Sequence, residues 1–221
     1  MASLSIYRIL AASIPPVFIG EAMAQNADLS AVSQLNRKAL DALQGTLSVE
    51  VKPQFAGGKL WACGVEFAAI ERDWIYKQGN HIRIGGSFGA ANMQGEFGVV
   101  LKVILHDIDV RVSPVTYIPS PPASAYFFSG SRTTTSDVVS SYPSDVAGAI
   151  FVVLRVENTL RLILDGLNRG KVGIAFARKK GQSDIQVTID TTVVETKGDG
   201  SRVRSAQPEV DFLGCLKSLI N

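Results

Sequence analysis

Residues 106–109 read HDID and place a histidine beside two carboxylates, the residue types of metal and acid–base sites. The flanking residues alternate between apolar and polar, which predicts a β-strand. Successive side chains of a strand point to opposite faces, so His106 lies on one face and Asp107 and Asp109 on the other. We therefore interpret HDID as the end of a strand that leaves the core, and not as a His–Asp ligand pair.

Metal binding is a weaker interpretation of the same residues. Asp107 and Asp109 would lie about 7 Å apart on one face, where both could approach a large cation. The chain has only two histidines, His81 and His106, and two cysteines, which is a poor set for zinc or copper. It also lacks the Asp- and Asn-rich loop with a turn glycine that calcium needs. The sequence predicts no metal ligands and no cofactor.

A second pattern, GGSFG at residues 85–89, matches G-x-S-x-G with Ser87 as the nucleophile. That motif works where a sharp turn between a strand and a helix exposes the serine. The residues that follow predict no helix. The order Ser–Asp–His also fails, because His106 is the last histidine and no aspartate lies between Ser87 and His106. A triad in another chain order is left open. Close contact between strands explains the glycines more simply.

Carboxylates and aromatic residues occur together in the segment that precedes GGSFG: Trp61, Glu66, Glu71, Asp73, Trp74 and Tyr76. Glycan-processing sites use such residues. The weak catalytic candidates are Glu66, Asp73 and His106. An enzyme of this kind would need a cleft that also gathers His81. A hydrolase using carboxylates near Glu66 and Asp73 is therefore the alternative function, and a metal-binding protein is the third.

Residues 113–145 hold five of the nine prolines and many serines and threonines. This composition predicts a long irregular loop with one short strand near residues 125–128. Aromatic side chains on such loops form contact surfaces at low entropic cost, although they can also pack back onto a sheet. The preferred function is a non-enzymatic binding protein, with another envelope protein or a small ligand as partner. The binding residues would be Tyr117, Tyr126, Phe127, Phe128 and Tyr142.

Periodicity predicts a single α+β domain over residues 25–221. It should be mostly antiparallel and sandwich-like, with N-terminal and C-terminal helices packed on the sheet. The N-terminal helix is predicted over residues 29–44, with Asp28 as its cap. The residues after it are predicted as a strand, a loop over 52–58, a strand to about 70 followed by a bend and a short strand, and then a hairpin. The basic run at residues 178–180 is interpreted as a solvated turn.

The first 24 residues have the pattern of a cleaved secretory signal peptide. Arg8 is followed by a 12-residue apolar run and an A-x-A site that ends at Ala24. The run is too short to cross a bilayer of about 30 Å, so no transmembrane segment is expected after cleavage. We expect an exported, soluble protein in the periplasm or secreted. The formal net charge of +2 gives no electrostatic argument for binding nucleic acid or an anionic membrane.

The two cysteines, Cys63 and Cys215, predict a disulfide in an oxidising compartment. Cys215 lies on the apolar stripe of a helix predicted to start at Pro208, and Cys63 lies in an apolar strand. The bond would therefore fix the C-terminal helix to the sheet. Two buried thiols or one reactive thiol remain as alternatives, although no C-x-x-C motif supports redox catalysis.

Overall fold

The computed structural model describes residues 20–93 and 95–220, with side chains described from Leu29 onwards. Most of the predicted signal peptide, residues 1–24, lies outside the described residues. In the described part, antiparallel strands dominate and three α-helices accompany them, which confirms the predicted single-domain α+β fold. The helices are α1 (Gly20–Ala42), α2 (Val156–Asn168) and α3 (Gln207–Ile220).

Alternating apolar residues between positions 45 and 109 form four long strands, each hydrogen-bonded to the next. They are β1 (Gly45–Ala56), β2 (Lys59–Asp73), β3 (Asn80–Met93) and β4 (Glu96–Asp109). Three further strands complete this seven-stranded large sheet: β5 (Thr116–Pro119), β8 (Val138–Pro143) and β9 (Ala149–Leu154). The order is β1-β2-β3-β4-β9-β8, and β5 pairs with the end of β4. Every pairing is antiparallel.

A second sheet covers the inner face of the large sheet. Its order is β11-β10-β6-β7, and a separate ribbon pairs β12 with β13. These strands are β6 (Ser124–Ser129), β7 (Arg132–Thr133), β10 (Lys171–Ala177), β11 (Ile185–Asp190), β12 (Val193–Thr196) and β13 (Arg202–Arg204). The core lies between the two sheets and also takes in α2 and α3. Its largest fully buried side chains include Phe88, Phe127, Phe176 and Phe212.

The C-terminal helix packs as its periodicity predicts. Phe212, Leu216 and Leu219 are buried in the core. Cys215 forms a disulfide with Cys63 on β2, with the two Cα atoms 5.8 Å apart. The predicted bond is therefore present and joins α3 to the large sheet.

The N-terminal helix covers one end of the outer face of the large sheet. Leu40 packs there against Ile70 and Ile108 in a small cluster separate from the main core. Asp28 lies within the described span of this helix, Gly20–Ala42, so the prediction that Asp28 caps it is wrong. The amide of Asn36 also donates hydrogen bonds of 2.9 Å to carbonyls beyond the end of β4.

Two boundaries in the first hairpins differ from the predictions. β1 continues through most of residues 52–58, which were predicted as a loop, because its register with β2 extends to Ala56. β2 does not bend at residue 70 but runs to Asp73, which pairs with Asn80. Pairing on both edges of β2 keeps it extended past the point where its apolar alternation weakens.

Residues 113–145 are not the irregular loop that their composition predicts. They contain β5, β6, β7 and β8, and the predicted short strand near residues 125–128 is β6. Pro119 and Pro143 end β5 and β8, so neither interrupts the middle of a strand. The proline and serine content indicates irregular structure. Peripheral strands tolerate both residue types, so this content does not exclude strands here.

Candidate functional site

The outer face of the large sheet, which points away from the second sheet, carries an open groove beyond the end covered by α1. The groove has a volume of about 1290 Å³. Pockets for small molecules commonly enclose about 300–1,000 Å³, so the groove is large enough for an elongated ligand. Its lining comes from β1, β2, β3, β4, β8 and β9 and from the residues that follow β8, and the volume also extends to Val194 of β12 and to Gln207, Pro208 and Asp211 of α3.

One residue from each of six neighbouring strands forms a row across this groove. We call it the central row: Glu50, Glu66, Ser87, Lys102, Phe151 and Tyr142, in order from β1 to β8. Residues directly opposed in antiparallel strands have Cβ atoms about 4.5–5.5 Å apart, so each side chain neighbours the next. The row is acidic at the β1 end and aromatic at the β8 end, where the rings of Phe151 and Tyr142 stack 5.6 Å apart.

Lys102 is the loosely paired cation near the middle of the row. Its side chain is 24% exposed, and the ion pair that it makes is a 3.7 Å contact with Asp145, whose side chain is 91% exposed. On β4 the next outward-facing residues on either side of it are the apolar Val100 and Ile104. Charge-assisted hydrogen bonds are strongest where water is scarce, so this ammonium is suited to an anionic ligand group.

One lysine pairs with both carboxylates at the acidic end of the row. Lys52 Nζ lies 2.8 Å from Glu66 Oε2 and 3.2 Å from Glu50 Oε2. Hydrogen bonds that Lys52 donates, first to Glu66 and then to Glu50, raise the pKa of Lys52. These side chains are about half exposed, so the pairing adds little stability. Two carboxylates and one ammonium leave this end of the row with one negative charge in excess.

Small residues make the floor of the groove on both sides of Ser87. A Cβ on Gly89 would lie 1.9 Å from the carbonyl oxygen of Cys63, so a side chain there would push β2 and β3 apart. The same face of β2 also carries small residues, and the floor includes Ala62, Gly64, Ala68 and Gly85. An extended apolar chain can therefore lie close to the backbone of the sheet.

His106 lies at one end of the groove, next to Arg83 on β3. Its ring is 6.3 Å from that of Tyr117, and the Arg83 guanidinium is 5.2 Å from the same tyrosine ring. Burial lowers the pKa of His106, and the Arg83 charge lowers it further, so the imidazole is neutral at pH 7. His106 is four residues from Lys102, about 13 Å along the strand, and so cannot serve as a base for Ser87.

The strand parity predicted for HDID is confirmed. β4 keeps a regular register with β3 through residue 107. His106 lines the outer groove, whereas Asp107 points inward and meets Arg178. Ser87 lies in the middle of β3, so the G-x-S-x-G match is not the strand-to-helix turn that the motif requires.

The side chains that a carboxylate hydrolase would need together occupy separate places. Glu66 lines the groove, whereas Asp73 is fully buried on the opposite face of β2. His106 lies at the end of the groove. His81 is hydrogen-bonded to Asp41 of α1, with 2.7 Å between Nε2 and Oδ1. Glu66 and Asp73 therefore do not flank a common site as the two carboxylates of a glycosidase do.

Asp73 belongs instead to a buried polar cluster at the end of the core. Arg178 Nε lies 2.7 Å from Asp73, Nη2 lies 2.6 Å from Asp107, and Nη1 lies 2.6 Å from Ser120 Oγ. Lys77 Nζ adds a 2.9 Å contact with Asp107. Burial alone would raise the pKa of Asp107, but hydrogen bonds from Lys77 and Arg178 hold it below its usual value. The charges of the cluster are matched within the protein, which indicates a structural role.

The interpretation of residues 178–180 as a solvated turn is wrong for Arg178. Its side chain is only 8% exposed, whereas Lys179 and Lys180 are exposed. The reason is that alternate side chains of a strand point to the same face. Arg178 continues the inward-facing series Val172, Ile174 and Phe176 on β10, so its guanidinium enters the core end, where two carboxylates neutralise it.

The predicted binding aromatics do not form one surface. Phe127 is fully buried and belongs to the core, so it cannot contact a partner. Tyr126 and Phe128 are half-buried, and the Tyr126 hydroxyl donates a 2.6 Å hydrogen bond to Asp184. Burial, followed by that carboxylate, raises the pKa of Tyr126 to about 12. Tyr117 and Tyr142 are exposed, and Tyr142 lines the groove.

Among residues 20–93 and 95–220, no group of three or more histidine, cysteine or carboxylate side chains lies close enough to hold a metal ion. None of the helices in these ranges combines the length and apolar character needed to cross a bilayer.

Comparison with known proteins found no protein family, curated protein or solved structure that matches this chain. A functional assignment therefore rests on the geometry of the groove.

Proposed function

We propose that the protein is an exported, non-enzymatic binding protein whose groove takes an elongated amphiphile with one anionic group. The observation that carries this proposal is Lys102, whose side chain is 24% exposed and makes one loose ion pair, at 3.7 Å, in the middle of the groove. The small-residue floor supports an apolar ligand body lying along the sheet. The ring pair of Phe151 and Tyr142 supports contact with that body at the β8 end.

Residues 113–145 were expected to bind the partner, and the end of this segment contributes to the groove. Four residues of this segment, 142–145, line the groove, and they come from the end of β8 and the chain just after it. Most of the remainder contributes strands to the two sheets. Deleting the whole segment would remove β6 from the second sheet, so point substitutions in the groove are the informative test.

The binding test compares three probes of one chain length: decanoate, decylamine and decanol. We expect decanoate to bind best by isothermal titration calorimetry. Lys102→Met should weaken decanoate about 10- to 100-fold, because a charged hydrogen bond contributes about 1.5–3 kcal/mol, and should leave decanol nearly unchanged. Lys59→Met, at an exposed position at the start of β2, is the matched control. Equal binding of decanoate and decylamine, or of decanoate to both lysine variants, would contradict the proposal.

Export is proposed from the N-terminal pattern, and the Cys63–Cys215 disulfide is compatible with it because such bonds persist in oxidising compartments. When the full chain is expressed in a Gram-negative host, intact mass should give a periplasmic product that begins at Gln25 and contains the disulfide. Substituting Ala22 and Ala24 by leucine should block processing. A cytoplasmic product that keeps residue 1 would refute export.

A further inference from the structure

The turn between β2 and β3 presents two exposed apolar side chains next to each other. Trp74 is 69% exposed and Ile75 is 52% exposed. The indole lies against Gly79, where a Cβ would be 2.4 Å from the ring, and the Arg72 guanidinium is 5.8 Å from the ring centroid. The tryptophan is thus held in place while most of its surface remains in water.

The backbone of this turn is satisfied from within the protein. The Asp73 carboxylate accepts hydrogen bonds from the amides of Ile75 and Tyr76, at 3.1 and 2.8 Å. The Asp73 carbonyl accepts from the amides of Lys77 and Gly79. Because these N–H groups already have partners, the turn can leave water with a smaller desolvation cost than an open loop.

A second turn, residues 178–184 between β10 and β11, lies beside the first. The Tyr76 hydroxyl donates a hydrogen bond to the carbonyl of Ser183, and Arg178 pairs with Asp73 beneath both turns. Lys179 and Lys180 are exposed in the second turn. The two turns together form one projecting surface, which we call the tip, with the apolar pair on one turn and the two lysines on the other.

The charge that the tip presents to solvent is positive. At this end of the sheet the carboxylates of Asp41, Asp73 and Asp107 are paired with basic side chains. Asp184 accepts a hydrogen bond from Tyr126. These contacts leave Lys179 and Lys180 facing water. Asp184 keeps its negative charge because Tyr126 is neutral, so Lys179 and Lys180 leave the second turn with one positive charge in excess.

We propose that the tip docks on an anionic phospholipid bilayer. Trp74 and Ile75 enter the headgroup region, and Lys179 and Lys180 contact lipid phosphates. Tryptophan favours the interface between water and membrane, and each nearby lysine adds attraction to anionic lipid. A protein partner fits less well, because stable protein interfaces bury about 800 Å² on each side and the tip offers two apolar side chains.

Tryptophan fluorescence tests whether the tip enters the bilayer. The chain has two tryptophans, so Trp61→Phe leaves Trp74 as the only emitter. Adding vesicles of phosphatidylglycerol and phosphatidylcholine should shift its emission to shorter wavelength, and vesicles of phosphatidylcholine alone should shift it much less. The same emission with and without anionic vesicles would overturn the proposal, whatever the groove binds.

Sedimentation with the same vesicles measures the contribution of each part of the tip. Trp74→Ala/Ile75→Ala should lower the partition coefficient at least about tenfold. Lys179→Glu/Lys180→Glu should lower the partition coefficient about 25-fold or more at low salt, because each lysine removed costs about fivefold. High salt should remove this difference, because it screens the attraction between lysine and anionic lipid. The matched control is Phe55→Ala/Val139→Ala, which removes two apolar side chains of similar exposure elsewhere.

All variants should carry the same N-terminal residue by intact mass and unfold at similar temperature. This comparison separates the tip from any effect of the N-terminal segment or of misfolding. Unchanged partitioning of the tip variants, or an equal loss in the control pair, would overturn the assignment.

Discussion

Replacing Arg178 with methionine is expected to lower the free energy of unfolding by about 3–5 kcal/mol. Methionine keeps much of the side-chain volume but leaves Asp73, which is fully buried, without its counter-charge. Asp107 would keep only Lys77. A buried carboxylate without a partner costs far more than an exposed ion pair contributes, so this should be the largest effect of a single substitution at a charged residue.

Lys180→Met is the matched control, because it makes a comparable substitution two residues away at an exposed position. It should change the unfolding free energy by less than about 0.5 kcal/mol. Urea titrations monitored by circular dichroism would measure both variants. If Arg178→Met lost no more than Lys180→Met, the buried cluster would not contribute as its geometry implies.

The same cluster predicts a dependence on pH. The pKa of Asp107 is lowered in the folded protein, so its pairing stabilises the fold above the ordinary aspartate pKa of about 3.9. That contribution is lost as the pH falls through the lowered pKa. The difference between wild type and Arg178→Met should therefore be largest near pH 7 and smaller below about pH 4. A constant difference across this range would contradict the electrostatic origin of the effect.

The second large effect is expected from Cys63→Ala/Cys215→Ala, which should lower the unfolding free energy by about 2–5 kcal/mol. The bond joins residues separated by 152 positions. A cross-link across so long a loop restricts the unfolded chain strongly, and the chain-entropy model gives about 5 kcal/mol as an upper value. Phe212, Leu216 and Leu219 still pack in the core, so we expect α3 to stay docked in the variant.

Hydrogen exchange distinguishes the two ways in which the variant can lose stability. If the bond acts on the unfolded chain, amides of α3 and β2 should lose protection together. If it holds α3 in place, the α3 amides should exchange faster while β2 stays protected. An unfolding free energy equal to that of the wild type would contradict the prediction.

Local pattern predicted those parts of the fold that one segment determines alone. The alternation of the residues around Ser87 and His106 predicted the hairpin of β3 and β4 and its two faces. The apolar stripe of residues 208–220 predicted α3 and the partner of Cys63. The N-terminal helix, by contrast, was predicted over residues 29–44 with Asp28 as its cap, but Asp28 lies inside the helix. A cap residue can also occupy the interior of a helix, so its presence does not fix the first turn.

The buried cluster shows what local pattern could not supply. In the structure, Asp73, Asp107 and Arg178 each continue the inward-facing series of their strands, whereas the sequence indicated a polar face for Asp107 and a solvated turn for Arg178. A charged side chain favours a position in solvent. Each of the three segments, taken alone, gives no sign that the other two charged residues lie beside it in the fold. The pairing of distant strands supplies the missing counter-charges. For the same reason the central row, which draws one residue from each of six strands, could not be predicted from any single segment.

The position of the disulfide also imposes an order on maturation of the chain. Cys63 lies in a meander whose strands pair with their neighbours in sequence, so its surroundings form from local contacts that close quickly. Cys215 is synthesised 152 residues later. With only two cysteines in the chain, the intramolecular bond has one possible connectivity and cannot close until α3 reaches β2. Oxidation of the pair therefore reports docking of that helix, and trapping of free thiols at intervals after the proposed export would follow it.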